Sequence, residues 1–358
     1  MSFSEEQSKI GKEVCMIRFR FSIFVLGVIL FLFGGGTAMA QGVKTHKLVA
    51  TPQQNVHEDI FDAAIPPVLT VESGDTVVLN TIMLRGGQLR CGMSIDELLA
   101  LAKGQADRKE IPLTLTGPVF VNGAEPGNVL EVRIKKLVPI DCGVNFTYPG
   151  SMNRGGLPED FPNGQTKTLK LDRKKMETTF APGIVIPLKP FLGRMGVAPK
   201  EGERKAGGAP DYFGANMDNK ELIAGTTLYL PINVKGALFS TGDAHAVQGD
   251  GESCLSAIET AMEEAVLQLT VRRDMKLERP MAETRTHWIA MGFHKDLNEA
   301  AKIALRDAVH FISKSKGLTL DDAYSLASLA VDLRITQIVN ANKGVHAMIP
   351  KKIFKKVK

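Results

Sequence analysis

Long apolar runs are missing from this chain of 358 residues. The longest, residues 21–33, falls short of the ~20 apolar residues that a membrane-spanning helix needs, and no later segment approaches it. A large charge of one sign is missing too. Lys and Arg total 44 against 39 Asp and Glu, for a net +5. The basic residues are dispersed except for the tail Lys351-Lys352-Ile353-Phe354-Lys355-Lys356, which reads as a solvated end, so no nucleic-acid partner is expected. Cysteine is scarce. Beyond residue 40 there are only Cys91, Cys142 and Cys254, with no C-x-x-C or Cys/His spacing, which argues against a structural zinc site. They read mainly as small buried residues; export would allow one disulfide and leave one thiol over. The Gly-x-Ser-x-Gly elbow of serine hydrolases is absent, as are a Ser-Ser-Lys pattern, internal repeats and low-complexity tracts.

What is present begins with a leader. Arg18 and Arg20 precede the apolar run, Gly34-Gly35-Gly36 follows it, and Ala38-Met39-Ala40 supplies an A-x-A cleavage site. Met16 would give a tidier start than Met1. The expectation is a signal peptide over residues 1–40, a mature chain from Gln41 without a permanent membrane span, and a periplasmic or secreted protein. Hydrophobic residues at 44% and charged residues at 23% describe a globular domain over 41–358, with subdivisions expected near 140 and 225.

The pattern along that domain predicts an α+β fold. Its N-terminal and central part is β-rich, sandwich- or barrel-like, with α-helices toward the C-terminus. Residues 68–71, 76–81 and 129–134 have strand composition or alternation. Ser94 with Glu97 three residues on marks the start of a short helix over 94–103. Residues 145–222, rich in Gly, Pro, Asn and Asp, predict long loops and short strands such as 166–171. Strands are expected at 227–231 and 234–239. Over 254–270 the apolar residues Leu255, Ile258, Met262, Ala265 and Val266 fall at helical intervals, with strand features near 267–271. Residues 297–314 form an amphipathic helix stopped by Gly317, and Thr319 caps another.

The chemistry-bearing segment is Gly242-Asp243-Ala244-His245-Ala246-Val247-Gln248-Gly249-Asp250-Gly251-Glu252. On a strand, Asp243 and His245 face the same way. The glycines after Gln248 let the backbone turn and bring Asp250 and Glu252 back toward the same point. Carboxylates with an imidazole suit a divalent ion, which would polarise an amide carbonyl and acidify a water. A remaining carboxylate would move protons. The plain alternative is a Gly-rich turn whose Asp residues satisfy its own backbone.

Thr241 to Glu252 resembles the signature of the acetamidase/formamidase family. Phe213-Gly214-Ala215-Asn216-Met217-Asp218-Asn219 resembles that family's Gly-Gly-Asn-Met-Asp segment, with Ala215 in place of one glycine. Leu115-Thr116-Gly117-Pro118 with Gly123-Ala124-Glu125-Pro126-Gly127, His57 with Phe61-Asp62-Ala63, Pro190-Phe191-Leu192-Gly193 and residues 328–349 are similar to further blocks. The similarity runs over roughly residues 46–354. It implies hydrolysis of short linear amides to a carboxylate and ammonia, a mostly β fold, self-association into a homo-oligomer, and a divalent metal, zinc or calcium. By position it implies Asp243, His245, Asp250 and Glu252 as catalytic residues and Asn216, Asp218 and Gln248 as substrate-binding residues. Asp243, His245 and Glu252, with His57 as a further candidate, are its metal ligands. Asp250 or Glu252 would be the general base. Two departures stand out. Leu113-Thr114 occupies a place where relatives have a histidine, and Glu58-Asp59 follows His57 where they often have Trp-Gly.

Cys254 invites a thiolate-nucleophile reading, but a buried structural thiol fits its apolar surroundings better. His287, His294 and His346 read as packed or surface histidines. A non-catalytic exported binding protein for amides or small polar ligands is the alternative that shares the scaffold.

Overall fold

The alternation at 129–134 becomes the strand Val129–Pro139, hydrogen-bonded on one side to Met262–Arg272 and on the other to Thr227–Pro231. These belong to a nine-stranded sheet in the computed structural model, which describes residues 42–355. The expected leader over residues 1–40 lies outside the described residues, as does Lys356 of the basic tail. Strands from before residue 140 and from after residue 225 are neighbours in this one sheet.

A second, eleven-stranded sheet contains Leu113–Val121, Phe191–Gly196, Gly214–Asn216 and Phe239–His245. The two sheets share a core. Leu115, Leu192 and Met195 of the second cluster with Val77, Leu130, Val132 and Leu267 of the first. The arrangement is a sandwich. Neither strand order closes on itself, so the barrel half of the sequence expectation is not realised among the described residues.

Helices cover the outer face of the first sheet. Along His287–His294, Ile289 and Met291 enter the sandwich core while Ala290 faces the helices. Along Lys343–Pro350, Met348 goes inward and Val345, Ala347 and Ile349 go outward. The outward residues meet Ala300, Ala304 and Ala308 of helix α2, Leu297–Lys316, and Ala323 and Ala327 of helix α3, Leu320–Ala330. These are the two predicted C-terminal helices, with Asp296 and Thr319 as N-caps and Gly317 closing the first in a left-handed conformation. The helix predicted from Ser94 is Ile95–Asp107, and its capping box is formed as read from the sequence.

Two local expectations are overturned. Residues 254–270 are not helical. A turn over 252–256 leads into the strands Glu259–Thr260 and Met262–Arg272. From Ala265 the buried residues alternate strictly, Ala265, Leu267 and Leu269. Pairing with neighbours on both sides, Val129–Pro139 and Thr76–Leu79, overrides the helical spacing upstream. Residues 234–238 are not a strand either, because Gly236, Ala237 and Leu238 all have positive φ and the extended backbone starts only at Phe239. Cys91 and Cys142 form a disulfide, and Cys254 is free and only partly buried.

Candidate active site

The motif Gly242-Asp243-Ala244-His245 lies on the buried strand Phe239–His245, between Leu113–Val121 and Phe191–Gly196. Two glycines make this crowding workable. A Cβ on Gly242 would sit 2.1 Å from the Thr114 carbonyl oxygen. One on Gly193, across the ladder from Asp243, would sit 2.5 Å from Asp218 Oδ1 and 3.0 Å from His245 Cε1. Asp218, Asp243 and Glu252 hold φ of 46°, 55° and 47°, uncommon for residues with a Cβ. Such backbone strain gathers where a structure aims side chains for a task. Ala215, at φ 70°, adopts the conformation that a glycine in this segment would take freely.

Asp243, His245, Glu252 and Asn216 open onto one cavity of about 190 Å³, joined there by Arg194, Glu259 and Asn340. One ligand atom each from Asp218, Asp243 and His245 lie within 4.8 Å of one another, and so do those of His245, Glu252 and Glu259. The imidazole is the hinge of both groups. Its Nδ1 lies 3.1 Å from Gln248 Oε1, and the same amide donates through Nε2 to the Asp218 carbonyl oxygen at 2.8 Å. That commitment makes Gln248 an acceptor toward the ring, so Nδ1 carries a proton. His245 Nε2 is therefore the atom turned to the carboxylates, 3.2 Å from Glu259 Oε2 and 3.4 Å from Asp243 Oδ1. Phe191 fixes the ring plane edge-on, with centroids 4.9 Å apart.

The charges are unevenly matched. Arg194 Nη1 is 3.0 Å from Asp243 Oδ2, while its Nε faces Asp59 Oδ1 at 3.3 Å. Burial alone would raise the Asp243 carboxyl, but Arg194 and then His245 bring it down to about 2. Burial opposes protonation of His245, yet Glu259 and Asp243 outweigh it and hold the imidazole well above its usual value. Burial and the Asp243 charge push Asp218 up to about 7. Burial and Asp218 push Glu252 well above the ordinary carboxylate range. Burial also raises Glu259. Asn216 Oδ1, Asp218 Oδ1, Asp243 Oδ1, Glu252 Oε2 and Glu259 Oε2 are all buried without a hydrogen-bond partner. Buried acceptors left unmatched are rare in native proteins and point to something else that meets them.

The sequence candidates divide. Asn216, Asp218, Asp243, His245, Gln248 and Glu252 are brought together in this region. Asp250 is not. It is exposed, with Oδ2 2.9 Å from Lys220 Nζ, because the backbone pairing of Gly251 with residues 336–338 carries it outward. His57 is not in the cavity either. Its Nδ1 lies 2.8 Å from the Glu58 carbonyl oxygen and its Nε2 3.0 Å from Ser240 Oγ, and burial lowers it to about 4. Cys254 Sγ meets Asn145 Nδ2 at 3.4 Å, with no base beside it. His346 is buried on its strand, with Nδ1 2.7 Å from Thr336 Oγ1. Thr114, where the family resemblance would place a histidine, faces the cavity.

Glu259, Arg194 and Asn340 belong to the site but were not singled out from sequence. Glu259 lay inside the supposed helix. Arg194 directly follows the Pro190-Phe191-Leu192-Gly193 block, the one signal that could have found it. Asn340, whose Nδ2 donates to Asp218 Oδ2 at 2.8 Å, sits in the C-terminal block.

Known proteins are similar to this chain in sequence and in architecture. The sequence model of the Acetamidase/Formamidase family matches residues 43–206 and 200–356. A putative formamidase of Schizosaccharomyces pombe is 26% identical over 270 residues, which cover 59% of this chain and 63% of that relative. A formamidase of Methylophilus methylotrophus is 24% identical, covering 81% of this chain and 87% of the relative. Among solved structures, an acetamidase from Bacillus halodurans superimposes with a TM-score of 0.77 at 29% identity, over 86% of this chain and 98% of its own. An acetamidase from Yersinia enterocolitica gives 0.77 at 28% identity, over 90% and 96%. With the family's sequence model spanning nearly all the described residues and the signature built into a buried polar cavity, this chain belongs to the acetamidase/formamidase family.

Proposed function

We propose that this protein hydrolyses the carbon–nitrogen bond of linear amides, releasing a carboxylate and ammonia. The observation that carries the reading is the convergence of His245 with the buried carboxyl groups of Asp218, Asp243, Glu252 and Glu259 at one small cavity, each with an oxygen that has no hydrogen-bond partner. Family membership supports it.

The donor set fits a divalent ion such as zinc or calcium. One imidazole nitrogen converges with several hard oxygens, and Asp218 Oδ1, Asp243 Oδ1, Glu252 Oε2 and Glu259 Oε2 have no hydrogen-bond partner. Asp218, Asp243 and His245 would hold it, which leaves Glu252 free to move protons. When bound, such an ion polarises the amide carbonyl and eases deprotonation of a water. The chain's own groups have separate tasks. Asn216 Oδ1, a buried acceptor without a donor, suits the amide N–H and orients the substrate. Arg194 keeps Asp243 ionised. Gln248 fixes the His245 ring by holding Nδ1. Glu252, which lines the cavity with a buried Oε2 that has no hydrogen-bond partner, takes a proton from the attacking water. It returns that proton to the nitrogen as the C–N bond breaks, so ammonia leaves.

The test is ammonia release by the purified protein from formamide, acetamide and longer amides, with and without chelator and added zinc or calcium, beside His245→Ala. Release abolished by His245→Ala supports the site, and the chelator response reports on the ion. No release from any amide by folded, metal-supplied protein rejects the reading.

We place this activity outside the cytoplasm. The Cys91–Cys142 disulfide supports that placement, since such bonds persist in oxidising compartments; cell fractionation tests it. Self-association is supported by exposed Leu320, Tyr324 and Leu329 on α3, with Leu333 and Ile335 on the adjoining strand. Light scattering tests that part.

A further inference from the structure

The catalytic cavity does not end at its own walls. A second chamber of about 600 Å³ adjoins it, and Tyr148, Arg154 and Glu252 line both. Its other walls are largely apolar: Leu157 and Phe161 from the loop after Tyr148, Leu169, Phe180 and Ile186 from the neighbouring strands, and Val247 from the motif itself. The loop is tied to the catalytic segment, because Gly156 N–H donates to the Ser253 carbonyl oxygen at 2.7 Å, one residue past Glu252. Chamber wall and proton carrier therefore share one stretch of backbone.

Size separates the two spaces. A cavity of 190 Å³ already has room for formamide or acetamide. A chamber of 600 Å³ lies inside the ~300–1,000 Å³ range of small-molecule sites, which are mostly apolar with a few polar groups at defined points. Here the polar groups shared with the catalytic side are Tyr148, Arg154 and Glu252, and Gln248, which holds His245, lines the chamber beside them. Phe161 and Leu157 are 59% and 53% exposed, so apolar surface faces solvent when nothing fills the space between them.

We propose that the preferred substrates are primary amides whose acyl group is apolar and of medium-chain or aryl-alkyl size, with that group seated in this chamber. The inference rests on the amide-hydrolase reading above. Because the nitrogen leaves as ammonia, the substituent must be on the acyl carbon. The bond broken is unchanged: water adds oxygen to the carbonyl carbon, and the nitrogen departs with the proton returned by Glu252.

The test compares kcat/KM for acetamide, butanamide, hexanamide and phenylacetamide, and measures binding of phenylacetate by calorimetry. From acetamide to phenylacetamide kcat/KM rises at least about tenfold, since even one methylene in an apolar pocket discriminates by roughly tenfold or more. Ile186→Trp, which narrows the chamber without touching the cavity, loses about tenfold on phenylacetamide, changes acetamide less than twofold and weakens phenylacetate binding. Leu157→Trp on the exposed loop gives the same pattern if Ile186→Trp fails to fold. Acetamide hydrolysed in preference to phenylacetamide, with no phenylacetate bound, overturns the chamber proposal and leaves the hydrolase reading standing. No hydrolysis of any amide overturns both. An oligomer that Ile186→Trp dissociates assigns the chamber to a second copy of the chain and also overturns the proposal.

Discussion

Five carboxyl groups, Asp59, Asp218, Asp243, Glu252 and Glu259, meet two cationic groups, Arg194 and His245, in one largely buried cluster. Burying an uncompensated ion costs several kcal/mol, so the excess negative charge must be met by a proton or by a bound cation. Glu259 is the group closest to His245 Nε2 and the largest influence raising that imidazole. Glu259→Gln keeps the shape and removes the charge. It is expected to lower kcat by about 100-fold, the scale of losing one preorganised electrostatic partner. It also moves the His245 titration downward, while circular dichroism stays unchanged. A pH profile of kcat that matches the native one would remove Glu259 from the working set. Outside the cavity, His57 gives a stability prediction. Folding depresses it from 6.5 to about 4 through burial. Between those values the unfolded chain takes up a proton that the folded chain refuses, so stability is present above about pH 6.5 and is lost as pH falls toward 4. His57 is partly exposed, which trims the effect to about 1 kcal/mol between pH 7 and 5. Urea unfolding of His57→Gln is expected to show that much less acid sensitivity; equal acid sensitivity in the two proteins would mean that His57 titrates normally.

At the scale of elements, the site depends on how closely three strands approach. Phe191–Gly196 brings Gly193 so near Asp218 that a Cβ would displace its carboxyl, and into tight contact with His245 and the Asp243 carbonyl oxygen. Gly193→Ala is expected to displace Asp218 from His245. Amide hydrolysis should fall by 100-fold or more, with about 1–3 kcal/mol of stability lost to overpacking. A melting curve and a rate measured on the same sample check both parts, and native activity would show that the strand can shift freely. This tightness also explains what the sequence made legible. The signature 241–252 could be read because its chemistry is local: Asp243 and His245 two apart on a strand, then a turn back to Glu252. Helices α2 and α3 were readable because caps and apolar spacing are local too. Glu259 was hidden because nothing near it in sequence distinguishes a helix from the short strand Glu259–Thr260, which pairing with His245 on one side and Val144 on the other imposes. Arg194 and Asn340 reach the cavity only through sheet register and the C-terminal hairpin, neither of which the sequence displays. Asp250 was misplaced for the same reason. Its neighbour Gly251 pairs with the distant Gln337, and the pull of that bridge carries Asp250 to Lys220 instead of the pocket.

Across the whole molecule, the disulfide connects a peripheral helix to the cavity. Cys91 and Cys142 close a loop with a sequence separation of 51 that contains Ile95–Asp107. That helix packs Leu98 with Leu89, Met93, Phe146 and Tyr148 in a small core of its own. Phe146 lies on Cys142–Thr147, the strand the disulfide anchors, and both Phe146 and Tyr148 line the catalytic cavity. Closing a loop of this length is worth about 4 kcal/mol by chain entropy alone, an upper figure if the reduced chain keeps structure. For a domain of this size that corresponds to a fall in melting temperature of roughly 5–10 °C. Cys91→Ser with Cys142→Ser, or reduction of the native protein, is therefore expected to lower the melting temperature by that amount. Because the small core holds two cavity walls, KM for amides should rise at temperatures well below the melt. Cys91→Ser alone leaves Cys142 free and should behave as the double variant does. Thermal melts with and without dithiothreitol, followed by KM measured at 25 °C and 45 °C, check the whole chain of reasoning. Identical melts would show that the bond contributes nothing to folding. Lower melts with unchanged KM would confine it to the helix and detach it from the site.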